Sequence, residues 1–268
     1  MMLKSALKAV GMKLIPRVTL ELLSARSQRQ IMERERSSGR LDASRKFIEK
    51  HGRTVLRGPF KGMQYPEDTA RERNLVHRLC GSYESELHPW VEEIARKDYA
   101  MLLDIGTADG FYSVGFGLLM PNTRVVGFDT DRWARKATRK LALVNEASNV
   151  DTQAMCDNAW INSHVLPNTL IFSDCEGYEA VLFDLNKSPI LEQCDMIIEL
   201  HERPAPGVEK LLRERFAKTH NCRMVTYVDH DPASFPELED VEPRMRELVI
   251  SEGRGGPQNV IFLTRRTD

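Results

Sequence analysis

The fold is decided by Met101–Gly110, which reads MLLDIGTADG. Its first five residues are apolar except for Asp104 and indicate a short buried strand, and the glycines behind them indicate a tight turn. Residues 111–119 have the apolar density of a packed helix. A strand, a glycine turn and a helix in this order expose backbone N–H groups at a helix N-terminus, where a nucleotide-like ligand can bind. The alternative is a turn that needs glycine only for its shape.

The spacing of the polar and glycine residues in this segment narrows the choice of ligand. Asp104, Gly106 and Gly110 form the pattern DxGxxxG, which differs from the GxGxxG pattern of a pyrophosphate binder. A carboxylate at the end of a strand can bind a cationic or hydroxyl-bearing part of a ligand. The spacing therefore argues against a nicotinamide-dependent oxidoreductase, which we keep as a rival hypothesis.

Strand-like and helix-like segments alternate regularly after residue 100, which predicts an α/β fold with a mostly parallel seven-stranded sheet covered on both faces. The glycines of residues 253–256 indicate a hairpin return, so we expect the last strand to be antiparallel. Strands are expected at 101–105, 124–129, 150–155, 169–173, 196–200, 223–228 and 260–264. Helices are expected at 111–119, 132–145, 179–184 and 208–218.

The first part of the chain has a different character. Residues 1–36 have helical apolar spacing with interleaved lysines and arginines. We favour packing of this arm on its own domain or on a second copy of the chain, a homo-oligomer, over peripheral contact with a membrane surface. We therefore predict a helical extension over 1–50 and an α/β domain over 51–268. Before the first strand we also expect a short helix at 42–51, a hairpin flap at 54–66 and an amphipathic helix at 84–97.

Composition excludes several classes of function. The formal net charge is −1, so no basic field favours nucleic acid as the main partner. No run of about 18 apolar residues appears, which excludes an apolar membrane span. The five scattered cysteines have no CxxC spacing and indicate reduced thiols, and no signal-peptide pattern is present at the N-terminus. These features predict a cytoplasmic protein.

Acidic residues follow several of the expected strands, where open α/β sheets bind their ligands. Asp129 lies 19 residues beyond Gly110, close to the offset at which an acid contacts ribose hydroxyls in such folds. The alternative for Asp129 is a cap for the helix that begins near Arg132. Asp174 and Glu176 lie close enough to bind a cation or to raise one another's pKa, whereas for Glu179 we favour a helix-capping role.

The end of the fifth expected strand places Glu199 and His201 on one face, because strand side chains alternate. A histidine beside a carboxylate can act as a general base near neutral pH. The same histidine, with Asp174, Glu176 and Glu199, could instead bind a divalent cation such as Mg²⁺ through nitrogen and oxygen ligands. The sequence leaves these two roles open.

Several of these motifs resemble the FkbM-type family of S-adenosylmethionine-dependent methyltransferases. The resemblance rests on GSYESEL (81–87), DIGTADGFYS (104–113), FDTD (128–131), DCEGYE (174–179) and ELHE (199–202), and it spans roughly residues 54 to 202. It departs from the family at residues 107–109 and at Thr130, where a proline is usual. The resemblance implies a class I methyltransferase fold, which is Rossmann-like, with S-adenosylmethionine as cofactor.

The resemblance also implies roles for particular residues. It places Asp104, Gly106 and Gly110 beside the methionine part of the cofactor and Asp129 at its ribose. It places Met155, Cys156 and Asp157 near the adenine, with Tyr83 and Glu84 closing over the cofactor. It places Asp174, Glu176, Glu199 and His201 at a small-molecule acceptor. The expected reaction is O-methylation of a hydroxyl on a sugar or another secondary metabolite, with His201 as base and Asp174 and Glu199 orienting it. The alternative is a catalytically idle binding module that uses its basic N-terminal arm.

Overall fold

The computed structural model describes residues 38–67, 75–254, 256 and 258–266. Their centre is one sheet of seven strands in the order β3-β2-β1-β4-β5-β7-β6. The strands are β1 Met101–Ile105, β2 Arg124–Phe128, β3 Val150–Gln153, β4 Thr169–Ser173, β5 Cys194–Leu200, β6 His220–Thr226 and β7 Asn259–Arg265. All adjacent pairs are parallel except those that involve β7. The prediction of a mostly parallel seven-stranded sheet with an antiparallel last strand is confirmed.

Register and strand order together place the site. Ile105 pairs with Phe128 on one side and with Ser173 on the other, so β1, β2 and β4 end at the same level. Strand order reverses between β1 and β4, because β2 lies on one side of β1 and β4 on the other. In open α/β sheets, ligands bind beyond the carboxyl ends of the strands at such a switch point. The residues that follow Ile105, Phe128 and Ser173 therefore meet at one edge.

Helices cover both faces of this sheet. They are α1 Arg40–His51, α2 Val76–Leu79, α3 His88–Ile94, α4 Phe111–Leu119, α5 Arg132–Val144, α6 Asn158–His164, α7 Glu179–Leu182, α8 Val208–Phe216 and α9 Pro243–Ile250. Short 3₁₀ turns occupy Ser85–Leu87, Pro189–Gln193, Pro232–Ser234 and Pro236–Leu238. Alternate strand residues point to opposite faces, so Leu102 packs in one apolar cluster and Leu103 in the other. The first cluster includes α4 residues such as Phe116, and the second includes α8 residues such as Phe216.

Two sequence-based expectations before β1 are met only in part. No continuous helix covers residues 84–97, because Glu84 has a left-handed backbone with φ +46° and the α-helix begins only at His88. Pro89 fits there because the first helical turn does not need its missing N–H group. The expected hairpin at 54–66 has no strands and only one isolated antiparallel bridge, between Thr54 and Gln64.

The expected helix at 42–51 is present as α1, which packs against α9 through buried side chains that include Phe47 and Ile48. The helices α6 and α9 were not expected from the sequence. Residues 1–37 lie outside the described residues, so the basic arm and the boundary between 1–50 and 51–268 remain predictions. The five cysteines are free thiols, and within the described ranges no helix is long and apolar enough to cross a membrane.

Candidate active site

A cleft of about 450 Å³ opens at the carboxyl edge of the sheet. Its volume lies in the range of small-molecule binding sites. The lining residues follow β1, β2, β3 and β4 in turn, as the switch-point rule requires. They are Ile105, Gly106, Ala108, Phe128, Asp129, Thr130, Ala154, Met155, Cys156, Asp174, Cys175, Glu176 and Tyr178. The cleft therefore brings together five of the predicted cofactor and metal residues from strands that are distant in sequence.

The loop after β1 is held in one shape by Gly106. This residue has φ +96°, and a Cβ added to it would lie 1.8 Å from the backbone carbonyl oxygen of Asp174. The N–H groups of Gly106 and Thr107 both donate to the carbonyl of Phe128, at 2.8 and 2.9 Å. Gly110 precedes α4 in a left-handed conformation and packs against the backbone of Thr138. The two predicted glycines thus allow the loop to lie directly on β4 and α5.

Asp104 supports this loop from inside. It is buried, and its Oδ2 accepts a hydrogen bond from the Ser113 hydroxyl at 2.5 Å. Ser113 in turn lies 2.7 Å from the Thr107 hydroxyl. Burial raises the pKa of Asp104 to about 6, although the hydrogen bonds from Ser113 and Thr107 oppose the rise. The carboxyl group also lines a second, smaller cavity beside the cleft.

Asp129 lines the cleft, and backbone N–H groups orient both of its carboxylate oxygens. Its Oδ2 accepts from the Ala108 N–H at 3.0 Å and its Oδ1 accepts from the Asp131 N–H at 2.8 Å. The cap of α5 is Asp131, whose side chain accepts from the Trp133 N–H, so Asp129 does not fill the capping role considered above. A carboxylate oxygen can accept more than one hydrogen bond. Asp129 therefore retains acceptor capacity towards hydroxyl groups in the cleft.

The two residues predicted near an adenine have different environments. Cys156 is buried and lines the cleft, and burial raises the pKa of its thiol to about 12, so the sulfur is neutral. Asp157 is not part of the cleft wall. Its carboxylate caps α6 by accepting from the Trp160 N–H at 2.8 Å. The structure therefore brings Cys156 to the cleft and assigns Asp157 a local structural contact.

His201 is surrounded by carboxylates. Its Nδ1 lies 2.6 Å from Glu179 Oε1, and its Nε2 lies 3.3 Å from Asp174 Oδ1 and 3.6 Å from Glu176 Oε2. Burial alone would lower the pKa of His201, but the hydrogen bonds and charges of Asp174 and Glu179 outweigh burial and raise the pKa to about 10. In this arrangement His201 carries a proton at neutral pH. The sequence favours a capping role for Glu179. In the structure, Glu179 is the residue that fixes the imidazole ring of His201.

Three of the four predicted metal ligands lie together. Asp174, Glu176 and His201 can each offer one ligand atom, and these atoms all lie within 4.8 Å of one another. Apart from its contact with His201, Asp174 Oδ1 makes no hydrogen bond within the described part of the chain. Glu199 does not belong to this group, because its Oε1 lies 2.6 Å from Nη1 of Arg254. The predicted pairing of Glu199 with His201 is therefore replaced by an ion pair with Arg254.

Arg254 is the centre of a buried acidic cluster. Besides Glu199, its guanidinium contacts Oε1 of Glu84 and lies 2.8 Å from Glu252 Oε2. The Tyr112 hydroxyl donates to Glu84 Oε2 at 2.5 Å. Burial raises the pKa of Glu84 and of Glu199, and Arg254 only partly opposes this. Three carboxylates thus share one guanidinium. The sequence analysis singled out Glu84 and Glu199 of this cluster but not Glu252 or Arg254.

The second cavity, of about 30 Å³, adjoins the cleft and shares Gly106, Ala108 and Asp174 with it. Its remaining lining is aromatic or charged except for Thr107: Arg78, Tyr83, Glu84, Asp104, Thr107, Asp109, Phe111, Tyr112, Phe172 and Glu199. The Arg78 guanidinium lies 4.7 Å from the centre of the Tyr83 ring and forms an ion pair with Asp109. The predicted residue Tyr83 therefore lies in a cavity with both acidic and basic walls.

The comparisons with known proteins give only remote likenesses. The sequence matches no model of a protein family and no curated protein. Among solved structures, the precorrin-6y C5,15-methyltransferase of Geobacter metallireducens GS-15 is 10% identical, with a TM-score of 0.46 and 76% of this chain and 93% of that chain covered. An rRNA methylase from Streptococcus thermophilus is also 10% identical, with a TM-score of 0.45 and coverages of 67% and 96%.

A third solved structure, cofactor-bound Rv0187 from MTB, is 14% identical, with a TM-score of 0.45 and coverages of 86% of this chain and 89% of that chain. Likeness at this level does not assign an activity. The function has to be inferred from the side chains at the carboxyl edge of the sheet.

Proposed function

We propose that this chain is an S-adenosylmethionine-dependent methyltransferase that methylates a hydroxyl group of a sugar or another small secondary metabolite. The observation that carries the proposal is the adjacency of two cavities on either side of Gly106. A cleft lined by Asp129 adjoins a smaller, acid-lined and aromatic cavity, and Asp174 borders both. This arrangement suits a ligand with a ribose at one end and a cationic group at the other. The FkbM-type resemblance of the motifs at 104–113, 128–131 and 174–179 supports the same ligand.

Each part of such a cofactor finds a chemically matched group. Asp129 can accept from two ribose hydroxyls, while Met155 and Cys156 provide an apolar wall for a base. The smaller cavity, at about 30 Å³, has room for about one water molecule, so its walls must move apart to admit the amino-acid part of the cofactor. Glu84 and Asp104 then suit an ammonium group, and Arg78, once released from Asp109, suits a carboxylate. Phe111 and Phe172 add aromatic surface for a positively charged sulfur, whereas Tyr83 already stacks on His77 and lies under the Arg78 guanidinium. When bound, the cofactor would supply an electrophilic methyl group.

For the chemical step we assign His201 as the base, with Asp174 and Glu179 orienting its ring. Glu199 does not take this role, because it pairs with Arg254. Methyl transfer needs the acceptor oxygen about 3 Å from the methyl group and in line with the bond that breaks. The hydroxyl proton must also be removed, because alcohols are poor nucleophiles. His201 can take this proton only when its imidazole is neutral. If it is the base, kcat should rise with pH towards the pKa of about 10 that its carboxylate neighbours impose.

A divalent cation is the alternative to direct base catalysis at the same residues. Asp174, Glu176 and His201 would hold it, and it would lower the pKa of a bound acceptor hydroxyl. The two carboxylates suit Mg²⁺, whereas the imidazole nitrogen suits a transition ion better. In this case activity should require added metal and disappear with a chelator. The variant Glu176→Gln should then raise the metal concentration needed for half-maximal rate, and an unchanged requirement would exclude the cation role.

The proposal is tested first by cofactor binding, which needs no knowledge of the acceptor. Isothermal titration of the full chain with S-adenosylmethionine should give a saturable signal. Asp129→Ala removes two charge-assisted hydrogen bonds and should weaken binding by about 100-fold or more. Asp131→Ala is the matched control, because that acid only caps α5 and does not line the cleft. Absence of binding by the unaltered chain, or equal affinities of the two variants, would refute the proposal.

A further inference from the structure

The outward face of α5 combines positive charge with exposed apolar side chains. The helix carries five basic residues and no acidic one, and its buried side consists of Thr138, Leu141 and Ala142. On the opposite side the exposed fractions are 60% for Trp133, 78% for Leu143 and 41% for Val144. We call Arg132, Trp133, Lys136, Leu143 and Val144 the α5 outer face.

The cations and the aromatic ring of the α5 outer face are adjacent. The guanidinium carbon of Arg132 lies 4.9 Å and Nζ of Lys136 lies 5.6 Å from the centre of the Trp133 ring. Each helical residue advances by about 100°, so Leu143, seven residues after Lys136, projects within about 20° of it when the helix is viewed down its axis. The face is therefore a mixed surface in which apolar groups are interleaved with positive charges.

The stability of the helix does not explain this composition. Arg132 is the first helical residue, and positive charges in the first turn oppose the helix dipole. Trp133 and Leu143 bury little surface against the protein, so they contribute little to the core. A face that breaks both of these local rules is expected to serve an interaction outside the chain.

We propose that the α5 outer face binds the surface of an anionic phospholipid membrane. An interfacial helix of this kind places tryptophan at the headgroup level, inserts aliphatic side chains at the boundary of the acyl chains and pairs its cations with lipid charges. A nucleic acid would engage the cations and could stack on Trp133. It offers no apolar environment to Leu143 and Val144, which is why the observations favour lipid.

Such binding would bring the candidate active site close to the membrane. Thr130 lines the cleft and Arg132 begins α5, so the mouth of the cleft and the α5 outer face are neighbours along the chain. An acceptor that is anchored in or concentrated at the membrane could then reach the cleft. The membrane contact itself does not depend on the proposed methyltransferase activity.

The test is sedimentation of the full chain with phosphatidylcholine vesicles, with and without phosphatidylserine. We expect binding only to the vesicles that contain phosphatidylserine, and weaker binding at high salt. Each cation near such a surface contributes about fivefold, so Arg132→Glu with Lys136→Glu should weaken binding by roughly 25-fold or more. Acids at a helix N-terminus stabilise the helix, so a loss of binding in this variant is not explained by unfolding.

Lys210→Glu with Arg213→Glu is the matched control, because it makes the same change of net charge on the exposed side of α8. It should bind like the unaltered chain. Leu143→Ser should weaken binding, whereas Leu211→Ser on α8 should not. A blue shift of tryptophan fluorescence on vesicle addition should disappear in Trp133→Phe, since Trp90 is buried and Trp160 is partly buried.

Three results would overturn the proposal. The first is an unaltered chain that ignores phosphatidylserine vesicles. The second is equal weakening in the two charge-reversal variants, which would place binding on another surface or on the N-terminal arm. The third is displacement from vesicles by polyuridylate with unchanged binding of Leu143→Ser, which would identify a nucleic-acid surface.

Discussion

The variant Gly106→Ala probes the loop on which the candidate site depends. Gly106 has φ +96°, and an added Cβ would lie 1.8 Å from the carbonyl oxygen of Asp174. That oxygen belongs to the backbone at the end of β4, so it cannot rotate away as a side chain would. Gly62 has almost the same backbone angle, φ +97°, but nothing lies within 4 Å of its added Cβ. A comparison of the alanine variants at these two positions therefore separates the cost of the left-handed backbone from the cost of the clash.

The structure sets the size of the expected difference. A left-handed backbone costs a residue with a Cβ about 1–2 kcal/mol, and this cost applies to both variants. Overpacking adds about 1–3 kcal/mol, and this cost applies only at Gly106. We therefore expect a loss of unfolding free energy of about 1–2 kcal/mol for Gly62→Ala and about 2–5 kcal/mol for Gly106→Ala.

Urea unfolding measures both stability losses, and titration with S-adenosylmethionine measures the consequence for the cleft. Gly106→Ala should lose affinity, because relief of the clash moves the loop away from Asp174 and widens the junction of the two cavities. Gly62→Ala should keep its affinity. Equal stability losses in the two variants, or full affinity in Gly106→Ala, would refute the geometry proposed for this loop.

Three further predictions concern buried charges, and urea unfolding at several pH values measures them all. Burial lowers the pKa of His77 to about 3, so the unfolded chain takes up the proton at higher pH than the folded chain does. The free energy of unfolding should therefore fall as pH drops from 6.5 towards 3. His77→Leu should make the free energy of unfolding less dependent on pH in this range. The pKa of His201 is raised to about 10, so protonated His201 stabilises the fold fully below pH 6.5. This stabilisation should disappear as pH rises towards 10, and His201→Gln should not show that decrease in the free energy of unfolding. Asp195→Asn should cost about 3 kcal/mol, because Tyr99 and Arg265 lose a buried charged partner.

The sheet was largely predictable from the sequence. The bounds of β1 and β4 agree with the expected ranges 101–105 and 169–173. Both strands are buried along their whole length, so they form apolar runs, interrupted only by Asp104, that end at small or polar residues. Asp129 could be placed for a similar reason, because the strand before it and the helix after it were both recognisable.

The sequence did not reveal contacts between distant segments. The apolar spacing of residues 88–94 correctly predicted a helix. That helix does not extend back to Glu84, because Glu84 has a left-handed backbone and belongs to an ion-pair cluster. The arginine of the cluster, Arg254, lies 170 residues further along the chain. Local periodicity contains no information about such a partner. Glu179 shows the same limit: its Oε1 accepts from the Gly177 N–H at 3.1 Å, a local contact of the kind expected, but it also lies 2.6 Å from His201 Nδ1.

The cluster around Arg254 has a consequence for ligand binding. Three buried carboxylates face one guanidinium, and burial raises the pKa of Glu84 and of Glu199, so each holds a proton to higher pH than a free glutamate does. Both residues line the smaller cavity, so a cationic group that enters it favours their charged forms. Binding of a cationic ligand should therefore release protons, and its heat should vary with the ionisation enthalpy of the buffer. The Glu199→Gln variant should release fewer protons, and an undiminished release would place the cation elsewhere.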